Sequence, residues 1–425
     1  MYLTKRKTTI RLGFFQTWEY ISIITIILEC SSIYFFTEKK IPLSSNLVLI
    51  IGFFPLALYS LLHCLASSRA RTSIVTEASL YLAFVIVYSL TLGRSEFVNF
   101  AMKFLAIFPC IMICTHYLMV TGRIHIYIRK FIQVMSVLAG FSLIMWFLGP
   151  LTGVIRPNSS VSFLWGNMIR KADSYFDVYF TSQREATFIN IWRNTAFFTE
   201  APKYCLLLTI AFLFETYFFK RRKILILLGI TIISTFAYTG MLGILIYYFA
   251  QYTLNVVHDI RKKTIKTRTI TWPVIMGAAI IAAYFLIATK LDTSSGIGRL
   301  GDYIVCFSVG MRHPLFGYGF LDNEYLNSVL HASRLANGVG NTMGLSNSLS
   351  QVFIDGGIYL VAYYMISFAG IIKTGLIKMD HGLTAVGIVL LYLFITTYFA
   401  YTGLMFFMLS CGFFLLLKRT KRNAD

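Results

Sequence analysis

The sequence predicts an all-α polytopic membrane protein with about twelve transmembrane helices and two large extracytoplasmic loops. Three observations carry that expectation. Apolar runs of close to twenty residues, the length a helix needs to cross a bilayer, recur along the whole 425-residue chain, and 57% of residues are hydrophobic. Charged residues make up 13%, against roughly 25% in soluble domains. The basic residues collect in alternate connections between the runs, the pattern that fixes orientation in a membrane.

The expected spans are Tyr20–Phe36, Asn46–Ala66, Ile74–Leu92, Val98–Val120, Phe131–Gly149, Pro202–Phe219, Ile224–Ala237, Gly240–Val257, Trp272–Thr289, Leu349–Ile372, Leu383–Tyr401 and Leu404–Leu417. Hydrocarbon offers no water to backbone N–H and C=O groups, so each must be a helix. The hairpins 224–257 and 383–417 contain short runs and read as tilted or partly re-entrant. Residues 1–425 form one integral membrane domain, without a 20–50-residue repeat. The first run follows Lys5–Arg11 with no small-residue cleavage site, so it reads as a retained anchor.

A net charge of +20 raises the question of nucleic acid. Its distribution answers it. The clusters Lys5–Arg11, Arg69–Arg71, Arg123–Lys130, Lys220–Lys223, Arg261–Arg268, Lys373–Lys378 and Lys418–Arg422 all fall on one side, while the short turns opposite hold only Lys39, Lys40 and Arg94. Both termini are therefore expected in the cytoplasm, with anionic membrane lipids rather than nucleic acid as the partner of this charge. Six of the seven cysteines lie in apolar runs, leaving Cys306 alone in a loop. No disulfide or zinc spacing appears, and neither a metal nor a cofactor is expected.

Polar chemistry concentrates in two long interruptions, residues 151–201 and 290–348. The first contains Phe163, Trp165, Tyr175, Phe176, Tyr179, Phe180, Phe188 and Trp192, as expected of short helices lying in the membrane interface. In the second, Ile297–Val309 reads as a helix with Arg299 in its first turn, where free N–H groups and a guanidinium would together receive phosphate. A further helix is expected from Asp322 to Gly338, with His331 and Arg334 on one face. Within the spans, Glu29, Glu77, Lys103 and Glu215 stand out because a charge in lipid is costly.

Three segments resemble the O-antigen polymerase (Wzy) branch of the bacterial surface-polysaccharide polymerase and ligase superfamily. They are Arg193–Pro202 (RNTAFFTEAP), Arg312–Gly319 (RHPLFGYG) and Leu345–Ile358 (LSNSLSQVFIDGGI). The ligases place a histidine before the asparagine of the third segment; Ser346 stands there, which favours the polymerase. The resemblance implies a glycosyltransferase of the bacterial inner (plasma) membrane that polymerises undecaprenyl-pyrophosphate-linked oligosaccharide repeat units into O-antigen, capsule or exopolysaccharide. A chain-length regulator and a flippase would be its protein partners. A surface-glycan ligase of the same superfamily is the nearer alternative. A lipid-linked oligosaccharide flippase is the alternative from another class, although two large outside loops and the lack of repeated halves argue against it.

Transfer from a pyrophosphate carrier needs fixed positive charge and orientation more than a strong nucleophile. Arginine supplies permanent bidentate donors. The candidates for holding pyrophosphate and glycan are Arg193, Arg299 and Arg312, then Arg334, Lys203 and His331. Glu200 and His313 are the candidate catalytic bases, ahead of His331, Asp322 and Glu324. Pro314, Gly317 and Gly319 are expected to shape a tight turn.

Overall fold

Apart from the expected span Trp272–Thr289, nearly half of which lies outside the described residues, the apolar runs become helices in the computed structural model, which describes residues 2–37, 43–165, 168–185, 190–263, 271–278, 280–281, 284, 294–321, 329–330 and 345–418. In order they are α1 (Tyr2–Glu29), α2 (Ser45–Ala66), α3 (Ser68–Ser89), α4 (Arg94–Phe100), α5 (Phe108–Val120), α6 (Ile124–Trp146), α7 (Ala201–Phe214), α8 (Arg222–Ser234), α9 (Tyr238–Arg261), α10 (Ser294–Gly310), α11 (Ser348–Ile377), α12 (His381–Thr396) and α13 (Gly403–Leu417). A π-helical stretch, Ala101–Ile107, joins α4 to α5, and two more, Phe147–Leu151 and Glu215–Phe219, extend α6 and α7. Among the described residues, seven helical stretches are long and apolar enough to cross a membrane. The connections at one end of this bundle are basic: Thr121–Arg123, Lys220–Arg221, Lys262–Lys263 and Lys378–Asp380.

The first polar interruption corrects the expectation of interfacial helices. It forms an antiparallel sheet of β1 (Ser159–Trp165), β2 (Met168–Tyr175) and β3 (Tyr179–Thr181), with β4 (Arg184–Glu185) paired to β5 (Ile191–Trp192). Period-two patterning explains it: Val161 and Phe163 are buried, while Ser160, Ser162 and Leu164 alternate with them on the exposed face. Of the aromatic residues that suggested an interface, Phe163 and Phe180 pack a small core with Ile33, Val161 and Ala172, Tyr175 and Tyr179 pack a second one with Met145, and Phe176 is exposed. Bridges Ser32–Phe198 and Thr37–Phe163 fasten the sheet to the end of α1.

α12 and α13 have 16 and 15 residues, or about 24 and 22 Å of rise, short of a hydrocarbon core of about 30 Å. They form a hairpin whose tip, Thr397–Thr402, is non-helical and largely buried. α11 shows how the tip is roofed. As a straight rod, its 30 residues would hold Ser348 about 45 Å from Ile377. Yet the Ser348 amide donates to Thr397 O at 3.1 Å, and Asp380, which leads into α12, donates to Gly375 O at 2.8 Å. The two distances are reconciled by a break at Gly357 (φ 57°, ψ −156°), which lets residues 348–356 fold over the hairpin tip.

Interrupting a helix orphans backbone groups, and the Arg312–Gly319 segment supplies their partners. Ile358 N donates to Pro314 O (2.7 Å), Tyr359 N to Leu315 O (3.0 Å), and Tyr318 N to Ile354 O (2.8 Å). No side chain fits between the two backbones. A Cβ at Gly317 would lie 2.3 Å from Ile354 O, and one at Gly357 2.5 Å from Pro314 O. The second and third resemblance segments are thus one interlocked unit. Gly319 (φ 128°) lies against Glu96, which caps Gly93 at the start of α4.

The ionisable residues inside the spans have partners. Glu77 meets His116 at 2.5 Å, Glu215 meets Arg221 at 2.7 Å, and Glu29 meets Lys103 at 3.5 Å. At the basic end, the buried Glu19 binds both Arg123 (3.2 Å) and Lys130 (2.6 Å).

Candidate functional site

The site is built around the α12–α13 tip. A buried non-helical segment cannot satisfy its own carbonyls, so other elements must. Three cations do so from three different helices. Arg299 of α10 donates to Thr396 O at 3.2 Å, Lys203 of α7 donates to Tyr398 O, and Lys103 donates to Tyr401 O at 2.9 Å. The Lys203 ammonium also sits over the Tyr398 ring, 4.7 Å from its centroid. Neutral donors complete the set: Ser348 Oγ to Thr397 O, Tyr364 to Ala400 O and Tyr303 to Ile395 O.

Carbonyls satisfy these cations as donors without neutralising them. Glu29 is the ion partner of Lys103, and its other oxygen accepts from Gly403 N at 3.2 Å. Among the described residues, no carboxylate lies within ion-pair distance of Arg299 or Lys203. The tip thus gathers three cations, with Glu29 and Asp355 as the carboxyl groups beside it, in surroundings where charge is weakly screened.

Arg299 does not act from a helix N-terminus, as its sequence position suggested. α10 begins at Ser294 rather than Ile297, which puts Arg299 past the first turn. Its guanidinium binds the C-terminal carbonyl of α12, where the helix dipole favours a cation. Arg193 does the same at α8, with Nε to Thr235 O at 2.8 Å and Nη2 to Phe236 O at 3.1 Å. The two hairpin tips touch: Tyr392, one turn before Thr396, donates to Thr239 O at 3.2 Å. Arg193, Lys203 and Arg299 are thereby gathered at one end of the bundle, the end that carries the sheet.

Glu200 occupies the N-cap position of α7 but makes no side-chain capping bond. Its charge reaches Arg170 on β2, whose pKa burial lowers and Glu200 partly restores. The side chain is half-buried and lies three residues from Lys203.

Other candidates lie elsewhere. Arg312 and His313 are exposed on the turn after α10, and the His313 ring packs edge-on against Tyr318 at 4.5 Å. Among the described residues, no hydrogen bond joins the His313 imidazole to the cationic tip. Pro314 and Gly317 belong to the interlock with α11, and Gly319 lies against Glu96. His331, Arg334, Asp322 and Glu324 lie outside the described residues, as does most of the helix expected from Asp322 to Gly338.

Four contributors were visible in the sequence only as isolated charges or not at all. Lys103 and Glu29 stood out as ionisable residues in spans, with nothing to connect them across 74 positions. Asp355 is fully buried beneath the tip and accepts from Tyr401 Oη at 2.6 Å, from Gln351 Nε2 at 2.9 and 3.0 Å, and from the Leu321 amide. Its signal was a carboxylate before two glycines inside an apolar run. Asp302, also buried, accepts from the Ser346 amide (3.1 Å) and hydroxyl (2.7 Å), anchoring the start of the third segment to α10.

No protein-family model matches the chain, and no curated protein does so.

Proposed function

We propose that this protein is a membrane glycosyltransferase that polymerises isoprenoid-pyrophosphate-linked oligosaccharides, as the three resemblance segments imply. The observation that carries the proposal is the convergence of Lys103, Lys203 and Arg299 on Thr396–Tyr401. Three cations around one buried turn, with one carboxylate in ion-pair contact, form a receptor for a multiply charged anion. In this proposal the chain makes about twelve passes, and its basic connections face the cytoplasm of a bacterial inner membrane. The sheet and α10 then cover an outward-facing site.

The reaction joins a sugar hydroxyl of one lipid-linked repeat to the anomeric carbon of the glycan on another. The bond from that carbon to the pyrophosphate oxygen breaks, and the pyrophosphate leaves with the electron pair. Glu200 takes the hydroxyl proton. Lys203 and Arg299 stabilise the charge growing on the leaving group, and Lys103 holds the turn from below. Ser346, bound to Asp302 where ligases carry histidine, favours polymerase over ligase.

The test is purified protein with lipid-linked repeat units. A ladder of products that requires Arg299 and Lys203 is expected. Arg299→Ala and Lys203→Ala proteins that both extend chains at the wild-type rate would refute the site.

A further inference from the structure

The β1–β2 hairpin ends in apolar side chains that the fold leaves uncovered. Cross-strand partners share a face, so Leu164 (58% exposed) and Ile169 (74% exposed) stand side by side, turned away from buried Val161 and Phe163. The antiparallel bridge Thr37–Phe163 brings Phe36, 44% exposed, level with Leu164. Three segments of chain thus present one apolar row at the end of the sheet. Single exposed apolar residues are ordinary, whereas a row without a charge in it is a contact surface.

Two features say what the row meets. The first is its level. Phe36 and Leu43 lie in the connection from α1 to α2, and Leu43 continues the exposed stripe Leu47, Ile51, Phe54, Leu58 and Leu62 of α2. That stripe keeps helical spacing along a helix long and apolar enough to cross a membrane, so it faces lipid. The row therefore sits where α1 and α2 leave the hydrocarbon. The second feature is charge. One cross-strand pair back from the row, on the same face, are Ser162 and Lys171, both exposed. Two residues along a strand span about 7 Å, which puts the ammonium at headgroup level when the row touches acyl chains. Lys171 makes no ion pair among the described residues, and the carboxylate on that face, Asp173, is a further pair back opposite Ser160.

We propose that Phe36, Leu164 and Ile169 rest in the lipid surface and that Lys171 takes a lipid phosphate, anchoring the sheet to the bilayer beside it. The inference needs only that the bundle spans a membrane; it holds whatever the chain catalyses. Alternation along β2 gives the anchor a consequence. Arg170, next to Ile169, points to the opposite face, where the charge of Glu200 at the head of α7 reaches it. Lipid on one face thus holds Arg170 towards the start of α7 on the other.

The test uses the full chain in nanodiscs doped with a phosphatidylcholine whose diazirine lies near the glycerol end of one acyl chain. Illumination is expected to label Leu164 and Ile169 together with α2, whose lipid-facing stripe is the internal standard. Leu164→Ser combined with Ile169→Ser should cut label in peptides covering 159–175 at least about fivefold against that standard. Both positions are exposed, so the fold should survive the change. Lys171→Glu should lower hairpin labelling in bilayers rich in phosphatidylglycerol more than in pure phosphatidylcholine. An unlabelled hairpin beside a labelled α2 overturns the anchor, as does wild-type labelling of the double variant. If the chain then runs as a dimer that the double variant breaks, the row belongs to a second copy. Lys171→Glu without effect in either bilayer overturns the phosphate contact.

Discussion

Replacing Gly357 with alanine probes the interlock between Arg312–Gly319 and the break in α11. At φ 57° and ψ −156° the backbone is in a region that residues with a Cβ avoid at a cost of about 1–3 kcal/mol. The new methyl would also lie 2.5 Å from Pro314 O and 2.5 Å from the Leu315 carbonyl carbon. These atoms cannot retreat without lengthening the bonds from Ile358 N and Tyr359 N, each worth about 0.5–1.5 kcal/mol. A conservative total is about 2 kcal/mol, which raises local opening roughly thirtyfold. Hydrogen exchange measured by mass spectrometry should show faster exchange in peptides covering 312–320 and 352–360, with the sheet peptides unchanged. Gly140→Ala is the control, because nothing lies within 4 Å of its would-be Cβ and the position is mid-helix. It should be neutral or stabilising by up to about 1 kcal/mol. Wild-type exchange at Ile358 and Tyr359 in the Gly357→Ala protein would refute the account of why α11 breaks.

Arg299→Lys should retain charge but lose reach and planarity, leaving activity between wild type and Arg299→Ala, which should fall by about 10²–10³ in chain extension. Glu200→Gln should slow extension by about 10²–10⁴ with unchanged thermal stability, since the side chain makes no capping bond; a stability loss without a rate loss would mean a structural role. Tyr401→Phe removes the hydroxyl bonded to Asp355 and should cost about 1–3 kcal/mol, measured as a lower unfolding midpoint in detergent. Cys306 is fully buried, so a maleimide should leave it unmodified until the protein is denatured, even though it lies in a loop by sequence.

Most of the helical framework was legible because lipid leaves a twenty-residue apolar run almost no alternative to a helix. The short runs were legible in part: Leu383–Leu417 reads as tilted, re-entrant or miscounted, and α12 and α13 have 16 and 15 residues, whereas in the other hairpin α9 extends to 24 residues, long enough to cross. The 151–201 segment misled because aromatic content outweighed alternation. Ser-Val-Ser-Phe at 160–163 carries the period of a strand, and that period decided the structure. Arg299 was legible as a candidate, but its setting was not. Local sequence placed it at a helix start, whereas its partner is a carbonyl 97 residues away. Lys103 and Glu29 could not have been joined by inspection, since their pairing depends on how α1 and the π-helical stretch Ala101–Ile107 pack against the tip. The glycines of Arg312–Gly319 announced a close backbone approach, although the sequence did not say to what.

The interlock also limits how this chain can vary. Carbonyls from residues 314 and 315 replace a missing turn in α11, so neither segment has a complete hydrogen-bond pattern alone. A transplant of Arg312–Gly319 into another scaffold should fail unless Ile354–Tyr359 travels with it. An insertion in one must be answered by a matching change in the other, so the two stretches should be inherited as a pair although more than thirty residues separate them.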